Sequence, residues 1–194
     1  MNFCIISGSS REGNNTLRLA KATEREIRKH GNHEVSLVDF REYDFPFFNG
    51  GHLNRKSLTS FQEKVFNAMA EANVIIIYSP EYNWFPSAEV VNLVHQTASG
   101  GNSDLYDEKV FVFGGVSSGR GGKIPAIQMS TVVGKVINFL NLSSVVSSKI
   151  FESSFTQTNV NESGILVTED TYKEEFEKFV QYSIKLGERW KEKS

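Results

Sequence analysis

Short apolar runs alternate along this chain with longer amphipathic ones. β-Branched and aromatic residues crowd into Phe3 to Ser7, Glu34 to Asp39, Val74 to Tyr78, Val110 to Phe113 and Ser144 to Phe151, stretches with the composition and length of strands. Val74-Ile75-Ile76-Ile77-Tyr78 is apolar without alternation, which predicts a strand covered on both faces. Helical periodicity fills the gaps at about Thr16 to His30, Leu58 to Ala72, Ser87 to Ala98 and Ile124 to Leu140, with a last helix at about Thr171 to Glu192. Leu17, Ala20, Glu24 and Ile27 are predicted to share the inner face of the first helix, and Leu58, Phe61, Val65, Phe66 and Met69 that of the second. The resulting order, βαβαβαβαβα, is that of a parallel α/β sheet.

Two segments fall outside this rhythm, Arg41 to Ser57 and the Ser/Thr/Asn-rich Glu152 to Thr168. Both read as long loops, and loops of that length in compact domains usually face a ligand or a partner. Phe45, Phe47 and Phe48 in the first suit a site wall, a subunit contact, or plain packing over a sheet edge.

Length and composition narrow the function classes. The 194 residues suit one domain, and 39% hydrophobic content supports a packed core. Lys plus Arg number 21 and Asp plus Glu 23, a net charge of 21 − 23 = −2, so no field draws in a polyanion and nucleic acid is an unsuitable partner. The longest apolar run is far below the roughly 20 residues of a membrane span, and the N-terminus enters a strand pattern without a basic leader; a cytoplasmic protein with no membrane partner is predicted. The single cysteine, Cys4, cannot form an intrachain disulfide or a cysteine-ligated cluster, and its apolar setting is that of a small core residue. The four histidines, His30, His33, His52 and His95, show no metal-ligand spacing, and no metal site is predicted.

Ligands of open parallel sheets bind beyond the carboxyl ends of the strands, so the loops after strands one, three and four carry the candidate chemistry. The first reads Gly8-Ser9-Ser10-Arg11-Glu12-Gly13-Asn14-Asn15-Thr16-Leu17 and runs straight into a helix. Glycines for a tight turn, hydroxyl and amide donors, a guanidinium and free helix N–H groups together describe a phosphate cradle. A turn with an N-cap from Asn14 or Asn15 accounts for the polar residues but not for the whole set. Neither the P-loop nor the Gly-x-Gly-x-x-Gly pattern is present.

The loop after strand three, Ser79-Pro80-Glu81-Tyr82-Asn83-Trp84-Phe85-Pro86, is a proline-bracketed aromatic turn, either a stiff connection or a wall for a flat conjugated ligand. Strand four leads into Gly114 to Gly122, five glycines in nine residues, where backbone must approach something closely. Gly115-Val116-Ser117-Ser118-Gly119 has the form of a hydrolase nucleophile elbow. That chemistry needs a histidine after the serine, and the last one, His95, precedes Ser117.

Taken together, Gly8-Ser9-x-Arg11 with Asn14-Asn15-Thr16-Leu17, Ser79-Pro80-Glu81-Tyr82-Asn83, and the glycine-rich Ser117 to Gly122 resemble the NADPH-dependent FMN reductase family, relatives of azo, quinone and chromate reductases. The resemblance spans nearly the whole chain. It implies a flavodoxin-like three-layer sandwich over residues 1–194, a five-stranded parallel sheet in the order 2-1-3-4-5 with helices on both faces. It further implies that Ser9, Arg11, Asn14, Asn15, Thr16 and Leu17 hold the phosphate of FMN. Pro80, Glu81, Tyr82, Asn83, Trp84, Ser117, Ser118, Gly119 and Gly122 would line its isoalloxazine.

The activity implied is ping-pong hydride transfer from NADPH or NADH to a small-molecule acceptor such as a flavin, quinone or azo compound, in a homodimer or homotetramer. The cofactor carries that chemistry, so no catalytic side chain is assigned; Glu81 is read as a hydrogen-bonding group before a proton donor. Arg120 and Lys123 suit either the nucleotide's phosphates or solvated surface charge. Two departures stand out: Asn14, where the family usually has serine, and Trp84-Phe85, where many members carry smaller residues. The rival function is a flavodoxin-type electron carrier without NAD(P)H turnover, against which the near-neutral charge argues mildly.

Overall fold

Every residue of Val74–Pro80 is buried in the computed structural model, which describes residues 1–192. This strand, β3, has Ile75 and Ile77 in one core layer and Val74, Ile76 and Tyr78 in the other, so its unbroken apolar run serves both faces. On either side lie β1 (Asn2–Ser7) and β4 (Val110–Val116), flanked by β2 (Glu34–Asp39) and β5 (Val145–Ser153). All pairings are parallel and the order is β2-β1-β3-β4-β5. That is the flavodoxin-like arrangement the sequence implies, and it puts the order reversal between β1 and β3.

Helices α2 (Ser60–Glu71), α3 (Ala88–Thr97) and α4 (Lys123–Leu140) cover one face of the sheet, while α1 (Asn15–Lys29) and α6 (Thr171–Lys191) cover the other. The helices begin where the chain offers caps. Thr59 and Gln62 form a reciprocal capping box on α2, and Ser87 and Asp170 cap α3 and α6. The second helix buries Phe61, Val65, Phe66 and Met69, with Leu58 packed at its edge.

The inner face of α1 differs from the predicted stripe. It passes through Thr23, whose hydroxyl bonds that of Tyr78 at 2.7 Å, while Glu24 stays on the flank with Arg28 at 3.0 Å. A polar residue is buried there because the Tyr78 hydroxyl, fully enclosed, needs a partner.

The two unassigned segments are more ordered than loops. Around Asn92 of α3 the first is pinned: the amide donates to Tyr43 Oη and the Pro46 carbonyl at 2.8 Å each and its oxygen accepts from Phe48 N–H at 2.9 Å. Phe45 is buried against Tyr43, while Phe47 stays 85% exposed. The second holds the end of β5, a short helix α5 (Thr156–Asn159) and a Val160–Leu166 bridge. Strand β5 runs two residues further than predicted because Ser153 accepts Ser117 N–H at 2.9 Å.

Lys109, ahead of β4, is buried and donates to the Ala70 and Ala72 carbonyls at the end of α2, 2.9 Å each. Lys109→Met would orphan both acceptors and is expected to cost about 2 kcal/mol in urea unfolding. Burial holds the ammonium below the usual lysine range, partly countered by Asp104. The unfolded chain therefore binds the extra proton, so this residue's contribution should grow as pH rises from the folded-state pKa towards about 10.5.

Candidate functional site

Three loops converge at the carboxyl end of the sheet around a cavity of about 300 Å3. The first loop supplies Ser9, Arg11, Asn14, Asn15 and Thr16 to its wall, the second Pro80, Glu81 and Tyr82, and the third Ser118. Leu17, Asn83, Trp84, Ser117, Gly119 and Gly122, predicted with them, do not line the cavity; Glu12, Gly13 and Val116 do.

Within the first loop the work is divided. Asn14 is the N-cap of α1: its oxygen accepts Leu17 N–H at 2.7 Å and its amide donates to the Arg11 carbonyl at 2.7 Å. Both its own polar atoms and the Leu17 amide are thus committed to the turn. Asn15 and Thr16 begin the helix, and their N–H groups point out of its positive end. Thr16 is fully buried, and its Oγ1 has no hydrogen-bond partner.

Arg11 takes part in no ion pair among the described residues. Its guanidinium lies 4.2 Å above the Tyr82 ring, whose hydroxyl meets Ser9 Oγ at 2.9 Å. A free guanidinium, an orphaned buried hydroxyl and open helix amides at one small cavity fit a phosphate group, which would satisfy all three.

Glu81 ties the second loop to the third. Its Oε2 accepts Gly122 N–H at 2.6 Å, and its own N–H reaches the Val116 carbonyl at 2.8 Å. Gly121 and Gly122 have φ of +144° and +109°, which leaves this path to glycine. The carboxylate therefore shapes the glycine-rich loop, in keeping with its reading as a hydrogen-bonding group. Glu81→Ala should release the Gly122 amide and speed its hydrogen exchange about tenfold or more, with Glu81→Gln milder because one acceptor survives.

Gln157 escapes sequence reading altogether. It accepts from Asn15 Nδ2 at 2.8 Å and donates to the Ser118 carbonyl at 2.9 Å, bridging the first and third loops. Thr156-Gln157-Thr158-Asn159 carries no motif, so only the fold brings it there. Ser154 adds a second tie, accepting from Gly121 N–H at 3.0 Å and donating to the Gly121 carbonyl at 2.7 Å. Arg120 and Lys123 stand exposed beside these contacts and form no ion pair among the described residues.

A larger groove of about 530 Å3 runs between α1 and α6, but its cations are already engaged. Arg25 donates to the Ser163 carbonyl, Arg28 pairs with Glu24, Lys29 with Glu26 and Lys173 with Glu169. Among the described residues no cluster of three or more His, Cys, Asp or Glu suits a metal, and no helix is long and apolar enough to cross a membrane.

The family model for NADPH-dependent FMN reductase matches residues 1–152, which includes all three loops. The chain belongs to that family. Its fold is shared with FerB, a flavoenzyme NAD(P)H:(acceptor) oxidoreductase from Paracoccus denitrificans, at TM-score 0.72 and 17% identity over 97% of each chain. Similar too are the apo form of the NADH:FMN oxidoreductase EmoB, at 0.64 and 14% over 94% of this chain and 87% of that one, and an archaeal flavodoxin, at 0.55 and 13% over 98% and 99%. No curated protein matches by sequence. FMN, which the family name implies, carries a phosphate, and the residues at the cavity fit that group.

Proposed function

We propose that the protein binds FMN with its phosphate in the first loop and uses NADPH or NADH to reduce a flavin, quinone or azo-type acceptor. The observation that carries this reading is the buried, unpartnered Thr16 hydroxyl at the start of α1, in a residue that shares one cavity wall with the unpaired Arg11. When bound, FMN would supply the two-electron chemistry, taking hydride from the nicotinamide and passing it to the acceptor in ping-pong order.

The chain's own part is positional. Ser9, Arg11, Asn15 and Thr16 would hold the phosphate, whereas Asn14 and Leu17 would serve it by keeping the turn and helix start in place. The second and third loops, locked together by Glu81, with Gln157 tying the third to the first, would present backbone donors and a fixed wall to the ring system. Arg120 and Lys123, exposed next to the third loop, would meet the phosphates of an incoming nucleotide. The exposed Phe47 beside α3 fits a contact between subunits of a homodimer or homotetramer.

The test is direct. Purified protein titrated with FMN should bind it tightly, and the holoprotein should oxidise NADPH or NADH with a quinone or azo dye as acceptor. Tight FMN binding without nicotinamide oxidation would make it a flavodoxin-type carrier. Failure to bind FMN would overturn the reading.

A further inference from the structure

Glu12 is out of character on the wall of the phosphate-fitting cavity. It lines that cavity together with Arg11, Asn15 and Thr16, yet it is a carboxylate, and a negative charge opposes a phosphate that the other groups attract. Its side chain is 85% exposed, so packing does not demand it.

The carboxylate is nevertheless held. Arg41 Nη1 donates to Glu12 Oε2 at 3.2 Å, and Arg41 is itself clamped at the end of β2. Its Nε and Nη2 reach Asp39 Oδ2 at 2.8 and 2.6 Å, and its backbone N–H donates to Asp39 Oδ1 at 3.1 Å. A line of ion pairs thus runs from β2 to the first loop, on the side of β1 away from β3 and β4.

On that side lies a second cavity, of about 140 Å3, whose wall includes Arg18, Lys21, Arg41 and Glu162 and which shares Gly13 and Asn14 with the first. Three cations stand there with one carboxylate. Lys21 forms no ion pair among the described residues, and its ammonium donates to the Glu162 carbonyl at 3.2 Å. Arg18 pairs with Glu162 at 3.0 Å, but that side chain is 82% exposed and a stronger anion can displace it. At Gly13 an added Cβ would meet nothing within 4 Å, so the shared edge is not packed shut. What spans it is the ion pair of Glu12, on one wall, with Arg41, on the other.

We propose that the pair of Glu12 with Arg41 is a barrier that confines this chain to ligands ending in a single phosphate, and that the pocket behind it is a latent site for a second phosphate. The inference rests on the reading of the first cavity as the site of the FMN phosphate. The flavin ring takes the side of the second and third loops, so the chain beyond the first phosphate of FAD leaves over the opposite edge, where Glu12 repels the second phosphate. Without that carboxylate the like charge is gone and Arg41 is released from Glu12. Arg18, Lys21 and Arg41 then offer the second phosphate charge-assisted hydrogen bonds.

The test is displacement of FMN from the holoprotein by FAD, which gives the ratio of the two Kd values without any turnover. Wild type should favour FMN strongly, Glu12→Ala should narrow that preference about tenfold, and Glu12→Gln should narrow it in the same direction. Lys21→Ala added to Glu12→Ala should restore most of the lost preference, while Lys21→Ala alone should leave the wild-type ratio as it is. An unchanged ratio in a Glu12→Ala variant that still binds FMN would overturn the barrier alone. A narrowed ratio that Lys21→Ala does not reverse would overturn the second pocket, and wild-type protein that takes FAD as readily as FMN would overturn both. If wild type binds no FMN, the functional reading and this inference fall together.

Discussion

Replacing Arg11 with alanine should lower the affinity for FMN about 50-fold while leaving that for riboflavin within about threefold. A charge-assisted hydrogen bond to phosphate is worth about 1.5–3 kcal/mol, and riboflavin lacks the group that receives it. The prediction is sharp because Arg11 has so little else to do. Among the described residues it forms no ion pair, and its guanidinium rests on the Tyr82 ring at 4.2 Å, a contact worth about 1 kcal/mol at an exposed site. Flavin fluorescence titrations of the two ligands measure the difference. Equal weakening of both would mean that Arg11 supports the loop and not the phosphate.

Asn14 provides the contrast that keeps this test specific. Its side chain spans the turn, accepting from Leu17 N–H and donating to the Arg11 carbonyl. Asn14→Ala should therefore weaken FMN and riboflavin alike and lower stability by about 1 kcal/mol, the usual cost of losing an N-cap. The serine usual in the family at this position caps helices equally well, so the departure at Asn14 preserves the role.

Apolar periodicity was enough to place all five strands and the five long helices, because each buries a stripe or a face that the core requires. It failed where order comes from hydrogen bonding. Glu152 to Thr168 looks like a loop since its Ser, Thr, Asn and Gln side chains bury little apolar surface, yet Ser154, Thr156 and Gln157 tie it to the glycine-rich loop. Such pairings depend on which chain segments meet, and nothing local announces them. The same limit applies within the site. Ser9, Arg11, Thr16 and Tyr82 were legible as residue types next to strand ends, and an N-cap from Asn14 or Asn15 was legible too, whereas the commitment of Glu81 to Gly122 required the loops to be seen together. Trp84, which the resemblance implies at the isoalloxazine, stands exposed and off the cavity wall.

Gly115→Ala should destabilise the protein by about 3 kcal/mol, a far larger effect than Gly119→Ala only four residues on. A Cβ at Gly115 would fall well inside contact distance of the Gly122 carbonyl oxygen, a backbone atom with nowhere to retreat, whereas at Gly119 it meets nothing within 4 Å. Gly122 is held on its other side by Glu81, and its own neighbour Gly121 by Ser154. Relief of the overlap therefore displaces the start of α4 and breaks the Glu81 contact, so stability and flavin site are lost together. Urea unfolding reads the first loss. The second is read by how far saturating FMN raises the thermal midpoint, since a ligand that binds only the folded state stabilises it in proportion to its affinity. Wild-type and Gly119→Ala should be stabilised by comparable amounts, and Gly115→Ala much less. A Gly115→Ala variant as stable as wild type, with its FMN-induced shift intact, would show that the glycine-rich loop moves freely and that its close backbone approach has no part in holding the flavin.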